Sequence, residues 1–279
     1  MNYRHAFHAG NFADVVKHAV LARILVHLRE KPQPFRVIDT HAGAGLYDLA
    51  GPEASRSGEW RAGIGRLNAA ALAPAAGALV APYLDVIRAL NKDADLRRYP
   101  GSPVLVLGLL RPQDRLIACE LEPQAAAALA GNLRADKRAK AIAIDGFVAL
   151  NAYVPPKERR GLVLIDPPFE DRDEFSRLAK SLEDAHRKWP TGIFLAWYPR
   201  KDPNSARALA TRLKRSGIPK LLRVELDLGD DLTRLVGAGL LIVNPPWRLD
   251  EDLAILLPEL ARVLAQHQRP QVRIDRLAA

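Results

Sequence analysis

Residues 35–45 read Phe-Arg-Val-Ile-Asp-Thr-His-Ala-Gly-Ala-Gly. Phe35 to Ile38 has the composition of a short buried strand. It runs into Asp39 and then into a loop holding Gly43 and Gly45. Glycines just past a strand let the backbone approach a ligand closely. The third glycine of a dinucleotide fingerprint is missing, and so is the Gly-Lys-Ser/Thr of a P-loop. Taken alone, the loop is equally a tight strand-to-helix turn.

The flanking sequence decides between these. Upstream, Ala13 to Arg29 carries Val16, Val20, Ile24 and Leu28 at helical spacing, with Asn11 or Asp14 as a cap and Lys31-Pro-Gln-Pro34 as the stop. Downstream, 49–99 is alanine-rich and punctuated by Pro52, Pro74 and Pro82, and reads as a helical insertion. Alternation follows. Strands are expected at Leu116–Glu120, Lys140–Ile144, Gly161–Ile165 and Gly192–Trp197. Helices are expected at Pro103–Leu110, Pro123–Arg134, Asp173–Lys188 and Ser205–Ser216. That order predicts an α/β, Rossmann-like fold with a parallel sheet and helices on both faces. Lys220–Leu228 and Ala238–Val243 follow each other without a helix, so they are expected to pair as an antiparallel edge. Leu253–Ala265 reads as a closing helix, and the tail beyond it is given no role. Residues 1–279 are expected to form one domain carrying the 49–99 insertion.

Lys and Arg number 41 against 32 Asp and Glu, a net charge of +9 that favours a polyanionic partner. With 48% hydrophobic and 26% charged residues, a disordered chain is excluded. Cys119 is the single cysteine, which excludes a disulfide scaffold and reads as a small buried hydrophobe. Ala69 to Pro82 is too short to span a membrane and holds Pro74 and Gly77. The N-terminal stretch lacks an apolar run, so no secretory signal is expected and the cytoplasm is the default location.

In an open α/β sheet, ligands bind past the carboxyl ends of the strands. Asp39, Glu120, Asp145 and Asp166 end four strands in order. Glu120 has the place of a carboxylate that accepts from ribose hydroxyls. Asp145-Gly146 is either a helix N-cap or a contact to adenine. Asp166-Pro167-Pro168-Phe169 is the most informative turn. A carboxylate beside the rigid Pro167 carbonyl can accept both hydrogens of an exocyclic amino group, and Phe169 can stack on the base. Together they would localise the nitrogen lone pair for attack on an electrophilic methyl. Asn244-Pro-Pro-Trp247 has the same grammar but lies out of order, and reads as a rigid strand exit with Trp247 packed. His5 and His8 lack the partners of a metal site, and in a basic arm they suit bases or phosphates. No metal is expected.

Together these features resemble S-adenosylmethionine-dependent amino-methyltransferases. The closer resemblance is to bacterial 23S ribosomal RNA (adenine-N6)-methyltransferases of the RlmJ family. It is carried by Tyr3-Arg-His5, Phe7-His8-Ala9-Gly10-Asn11, Ala13-Asp14-Val15, Lys17-His18, Asp39 to Gly45 and Tyr99-Pro-Gly-Ser-Pro103. Asp145-Gly146, Asp166 to Phe169, Trp197-Tyr-Pro199 and Asn244 to Trp247 complete it. The resemblance implies N6-methylation of one adenine in protein-free 23S ribosomal RNA; nothing in the sequence demands more than a monomer, and no obligate protein partner is expected. It implies Asp166 as the catalytic residue. His18, His41, Ser102, Glu120, Asp145, Gly146 and Asp166 would form the S-adenosylmethionine site. Tyr3 would meet the RNA with Lys17 beside it, and Pro167 and Phe169 would hold the base. Phe169 departs from the tyrosine common at that place, so no phenolic role carries over. Three other readings stay open: a DNA adenine or cytosine amino-methyltransferase, a protein-glutamine methyltransferase using Asn244, and a non-enzymatic RNA-binding module.

Overall fold

The computed structural model describes residues 4–92, 95–171, 173–229, 235, 237–265 and 270–278. A short 3-10 turn at His5–Phe7 leads into α1 (Phe12–Arg29). The Asn11 side chain accepts from the Asp14 N–H at 3.0 Å and caps α1. The helix is buried nearly all round rather than on one stripe. The reason is its neighbours: the sheet lies on one side and three later helices on the other.

Strand β1 (Arg36–Asp39) enters the glycine loop, and β2 (Leu46–Asp48) follows. Residues 49–99 hold α2 (Pro52–Ser57), a π-type turn at Arg61–Gly65, α3 (Arg66–Ala69) and α4 (Pro74–Leu90). They end in β3 (Arg98–Pro100), which pairs antiparallel with β2 and so brackets these helices with a short two-stranded ribbon. Three-residue strands carry too little periodicity to be read from sequence.

The alternating part comprises α5 (Ser102–Leu109), β4 (Arg115–Glu120), α6 (Pro123–Leu133), β5 (Ala139–Ala143), α7 (Gly146–Tyr153), β6 (Gly161–Ile165), α8 (Glu174–Lys188), β7 (Ile193–Pro199) and α9 (Pro203–Arg215). Helix α7 had no range in the sequence reading, which offered Asp145-Gly146 as a helix N-cap, and Asp145 is that N-cap. The chain closes with β8 (Leu221–Asp227), β9 (Gly237–Val243), α10 (Leu249–Leu264) and β10 (Gln271–Ala278).

The sheet order is β10-β8-β9-β7-β6-β1-β4-β5. Strands β5, β4, β1, β6 and β7 are parallel. Strand β9 is antiparallel to β7 and β8, and β10 is antiparallel to β8. The expected β8–β9 pairing is present, but β9 sits inside the sheet and the tail supplies the edge. Val272 and Ile274 alternate with Arg273 and Asp275 there, a charged edge that discourages further pairing.

Strand β6 is buried on both faces, as its unbroken apolar run requires. Leu162 and Leu164 join the core under α1, α4, α5 and α10. Val163 and Ile165 join the opposite core under α7, α8 and α9. Among the described residues, no single helix is long and apolar enough to cross a membrane.

Candidate active site

Strand order reverses at β1, with β4 on one side and β6 on the other, and a cavity of about 1240 Å³ opens past the carboxyl ends of these strands. His18, His41, Ser102, Glu120, Asp145, Gly146 and Asp166 all line it, together with Lys17, Pro167 and Phe169. Residues scattered from 17 to 169 thus meet because each lies just past a parallel strand, on α1, or, for Ser102, at the start of α5 just after the β2–β3 ribbon. Tyr3 lies outside the described residues, as does His267.

Asn244-Pro-Pro-Trp247 is elsewhere. Strand β9 runs against β7 with Val243 opposite Phe194, so this motif leaves the sheet at the end remote from the cavity. Asn244 takes a positive φ of 51° and donates from Nδ2 to the carbonyls of Pro190 and Gly192, both at 2.8 Å. It is a structural strand exit, as expected, but Trp247 is 83% exposed rather than packed.

Glu120 is fixed by three backbone donors. Gly43 N–H reaches Oε2 at 2.8 Å, and the Leu121 and Glu122 N–H groups reach Oε1 at 2.7 and 2.8 Å. The carboxylate thereby joins the glycine loop to the end of β4 while keeping lone pairs for a ligand. Asp39, at the end of β1, is fully buried, with the Ser102 side chain and the His41 backbone N–H as the donors near its carboxylate. Burial lifts its pKa to about 7.

Asp145 is the N-cap of α7, accepting from Phe147 and Val148 at 2.9 and 3.0 Å. It also pairs with Arg177 at 3.0 Å, and the Arg177 guanidinium lies 4.2 Å over the Phe147 ring. Burial would raise this carboxyl, but the helix N–H groups and Arg177 hold it below its ordinary value. A Cβ on Gly146 would stand 2.2 Å from the Thr40 carbonyl oxygen and under 3 Å from the His41 ring, so only glycine fits. The Thr40 hydroxyl donates to the Leu164 carbonyl at 2.9 Å. It therefore accepts from His41 Nδ1–H at 2.8 Å, which leaves His41 Nε2 as an acceptor. Burial lowers the His41 pKa to about 4, so the ring is neutral at pH 7.

Helix α1 contributes Asp14, Lys17 and His18, at i, i+3 and i+4 on one face. Lys17 is only 4% exposed. Its Nζ lies 2.8 Å from Asp14 Oδ1 and bonds Asp166 Oδ2. Burial pulls its pKa down, but the two carboxylates outweigh that and hold it above the ordinary lysine value. Lys17 thus stands against Asp166. Asp14 also accepts from Gly10 N–H at 2.9 Å and pairs with His5 Nε2 at 3.0 Å.

Phe169 has a positive φ of 53° and packs against Phe175 and Trp197, with ring centroids at 4.8 and 5.7 Å. The arm leans on residues 53–64. Arg4 pairs with Glu53, His8 with Glu59, and Ile64 N–H bonds the Gly10 carbonyl at 2.8 Å. His5 and His8 are therefore seated on carboxylates here. Sequence reasoning named Asp14 only as a possible cap and as part of the resemblance, gave it no site role, and did not single out Arg177. Asp14 was findable, because an acid, a lysine and a histidine on one face of an otherwise apolar helix is a readable anomaly. Arg177 left no sequence signal.

Known proteins carry the same pattern over nearly the whole chain. Residues 32–275 match the family described as ribosomal RNA large subunit methyltransferase D, RlmJ. Ribosomal RNA large subunit methyltransferase J of Escherichia coli is 39% identical over 262 residues, 93% of this chain and 92% of that protein. The Haemophilus influenzae protein of the same name is 39% identical over 95% of this chain and 94% of its own length. A crystal structure of a Legionella pneumophila protein superposes with a TM-score of 0.88 at 33% identity, covering 96% of this chain and 98% of that one. On sequence and on architecture alike, this chain belongs to the RlmJ family of ribosomal RNA large subunit methyltransferases.

Proposed function

We propose that the protein methylates N6 of one adenine in 23S ribosomal RNA, using S-adenosylmethionine. The observation that carries this reading is the placement of Asp166-Pro-Pro-Phe169 at the carboxyl end of β6, on the switch-point cavity, in a chain of this family.

The residues present suit the cofactor. Glu120 offers lone pairs to ribose hydroxyls, and Gly146 keeps the backbone clear beside His41. The buried, unpartnered Nε2 of His18 is the kind of atom that a polar ligand satisfies. At about 1240 Å³, the cavity has room for a nucleoside-sized cofactor and a target base together. The cofactor, when bound, supplies an electrophilic methyl group.

The chain's own residues do the rest. Asp166 and the Pro167 carbonyl accept the two N6 hydrogens, which keeps the nitrogen lone pair out of the ring. Phe169, propped by its edge contact with Trp197, is placed to stack on one face of the base. Lys17 occupies Asp166 Oδ2 and leaves Oδ1 for the amino group. Once N6 is alkylated its acidity rises, and the Asp166 carboxylate is placed to take the proton. Positioning of this kind is worth roughly 7–11 kcal/mol of barrier when reacting groups are held near attack distance. We read residues 49–99 as a subdomain flanking the RNA, with the arm and Tyr3 completing the substrate side. The reaction belongs in the cytoplasm, on RNA free of ribosomal proteins, and requires no second subunit.

The test is single-turnover transfer of labelled methyl to deproteinised 23S RNA lacking its modifications, followed by nucleoside analysis. N6-methyladenosine at one site is expected. Asp166→Ala is expected to lower the rate at least 10³-fold while cofactor affinity changes little. Retained turnover in that variant, or product on DNA but not RNA, would overturn the reading.

A further inference from the structure

His18 is 1% exposed and lines the cavity, and its Nε2 is buried and has no protein partner. Its Nδ1 lies 2.8 Å from the Tyr99 hydroxyl, and that hydroxyl lies 3.0 Å from the hydroxyl of Tyr83. Both tyrosines are fully buried. The His18 and Tyr99 rings stack at 5.7 Å between centroids. Tyr83 belongs to α4 and Tyr99 to β3, so the chain of hydroxyls starts in the 49–99 segment and ends at the cavity.

Counting protons orders this chain. Burial raises both phenols well above their ordinary pKa, so each hydroxyl keeps one hydrogen to donate. Among the described residues, Tyr83 Oη has Tyr99 as its hydrogen-bond partner. If His18 donated from Nδ1, Tyr99 would have to donate to Tyr83. The Tyr83 hydrogen would then be stranded in the core, and Nε2 would be a buried acceptor. In the opposite direction Tyr83 donates to Tyr99, Tyr99 donates to Nδ1, and the ring proton rests on Nε2. Each arrangement leaves one buried donor without a protein partner, but only Nε2–H, on a residue that lines the cavity, can be met by a ligand or water entering there, whereas the Tyr83 hydrogen is shut in the core. A stranded buried donor costs about 1–3 kcal/mol, which favours the second arrangement.

The cavity beside His18 also receives the start of α5, where Gly101 and Ser102 line the wall and no side chain caps the helix. A helix start and an imidazole N–H both favour an anionic group.

We propose that Tyr99, backed by Tyr83, is a positioning residue that fixes His18 in its Nε2–H form, as a hydrogen-bond donor to the carboxylate of S-adenosylmethionine. The inference rests on the cofactor reading above. It makes His18 and His41 complementary: one neutral ring offers the ligand a donor, the other an acceptor.

The test is long-range proton–nitrogen NMR of the full chain labelled with 15N-histidine, the His18 signal being identified by its loss in His18→Gln. Wild type and Tyr83→Phe are expected to show His18 protonated on Nε2 alone, and Tyr99→Phe a mixture of both forms. Titration with S-adenosylmethionine and with its decarboxylated analogue supplies the second readout. Wild type is expected to lose about tenfold in affinity when the carboxylate is removed, and Tyr99→Phe much less. An Nδ1–H form in wild type overturns the relay, and this arm needs no variant to fold. Equal losses on decarboxylation in the two proteins overturn the carboxylate assignment. Wild type that binds neither compound overturns the cofactor reading, and the ligand of this inference with it.

Discussion

Asp39 shows how one buried carboxyl makes the whole fold pH-dependent. Its native pKa is about 7, because burial disfavours the charged form, against about 3.9 for an unfolded aspartate. Below pH 4 both states are protonated and Asp39 contributes nothing. Between pH 4 and 7 the native state binds more protons than the unfolded state, so stability falls as pH rises. The slope approaches 1.4 kcal/mol per unit, and the total is on the order of 3–4 kcal/mol. Asp39→Asn removes the charge and should flatten that part of the profile. Urea unfolding at pH 5 and pH 8 checks it: the wild type-to-variant difference should change between the two pH values, and parallel profiles would contradict it. The neighbouring cluster shows a different balance. Lys17 sits between Asp14 and Asp166, and the two carboxylates keep a buried ammonium charged against its desolvation.

At the scale of elements, what counts is which end of a strand a motif leaves from. Asp166 and Asn244 both precede two prolines and an aromatic, yet one leaves a parallel strand and the other an antiparallel one. Asn244→Ala removes two hydrogen bonds to the Pro190 and Gly192 carbonyls and should cost about 1–3 kcal/mol in thermal or urea unfolding. Its kcat/KM per folded molecule should match wild type. A large loss of turnover in a stable variant would restore the second motif as a reaction centre. The start of α7 makes the opposite prediction. Gly146→Ala puts a methyl group against the Thr40 carbonyl and the His41 ring. Cofactor affinity measured by calorimetry should drop at least tenfold, more than any change in secondary structure seen by circular dichroism would suggest.

At the scale of the molecule, charge and topology act together. The net charge of +9 reaches an RNA backbone through exposed cations, so binding should weaken linearly in log–log salt plots. Between 50 and 200 mM salt, the affinity for 23S RNA is expected to fall by about tenfold or more, while affinity for the small cofactor changes far less. A flat RNA response would remove the electrostatic argument. The same scale explains the arm. Residues 4–11 are held by contacts to α2 and the following turn, so this wall of the cavity is assembled from segments some fifty residues apart.

Some of this was already decided in the amino-acid sequence. A five-residue apolar run such as 161–165, set between turn signals, reads as a strand buried on both faces, and acids just past successive parallel strands must meet at one end of the sheet. The parallel order, the glycine loop and the Asp-Pro-Pro-Phe turn were therefore legible, because local periodicity and strand polarity suffice to define them. Other features needed the tertiary structure. The tail forms the sheet edge because β8 leaves an unpaired side, which no local pattern announces. Trp247 is exposed because nothing packs over that strand exit. Lys17 faces Asp166 because α1 lies across the switch point, and His18 reaches two tyrosines because β3 and α4 fold back over α1. Side chains far apart in sequence acquire partners only when elements pack, so their protonation and hydrogen bonding are properties of the fold.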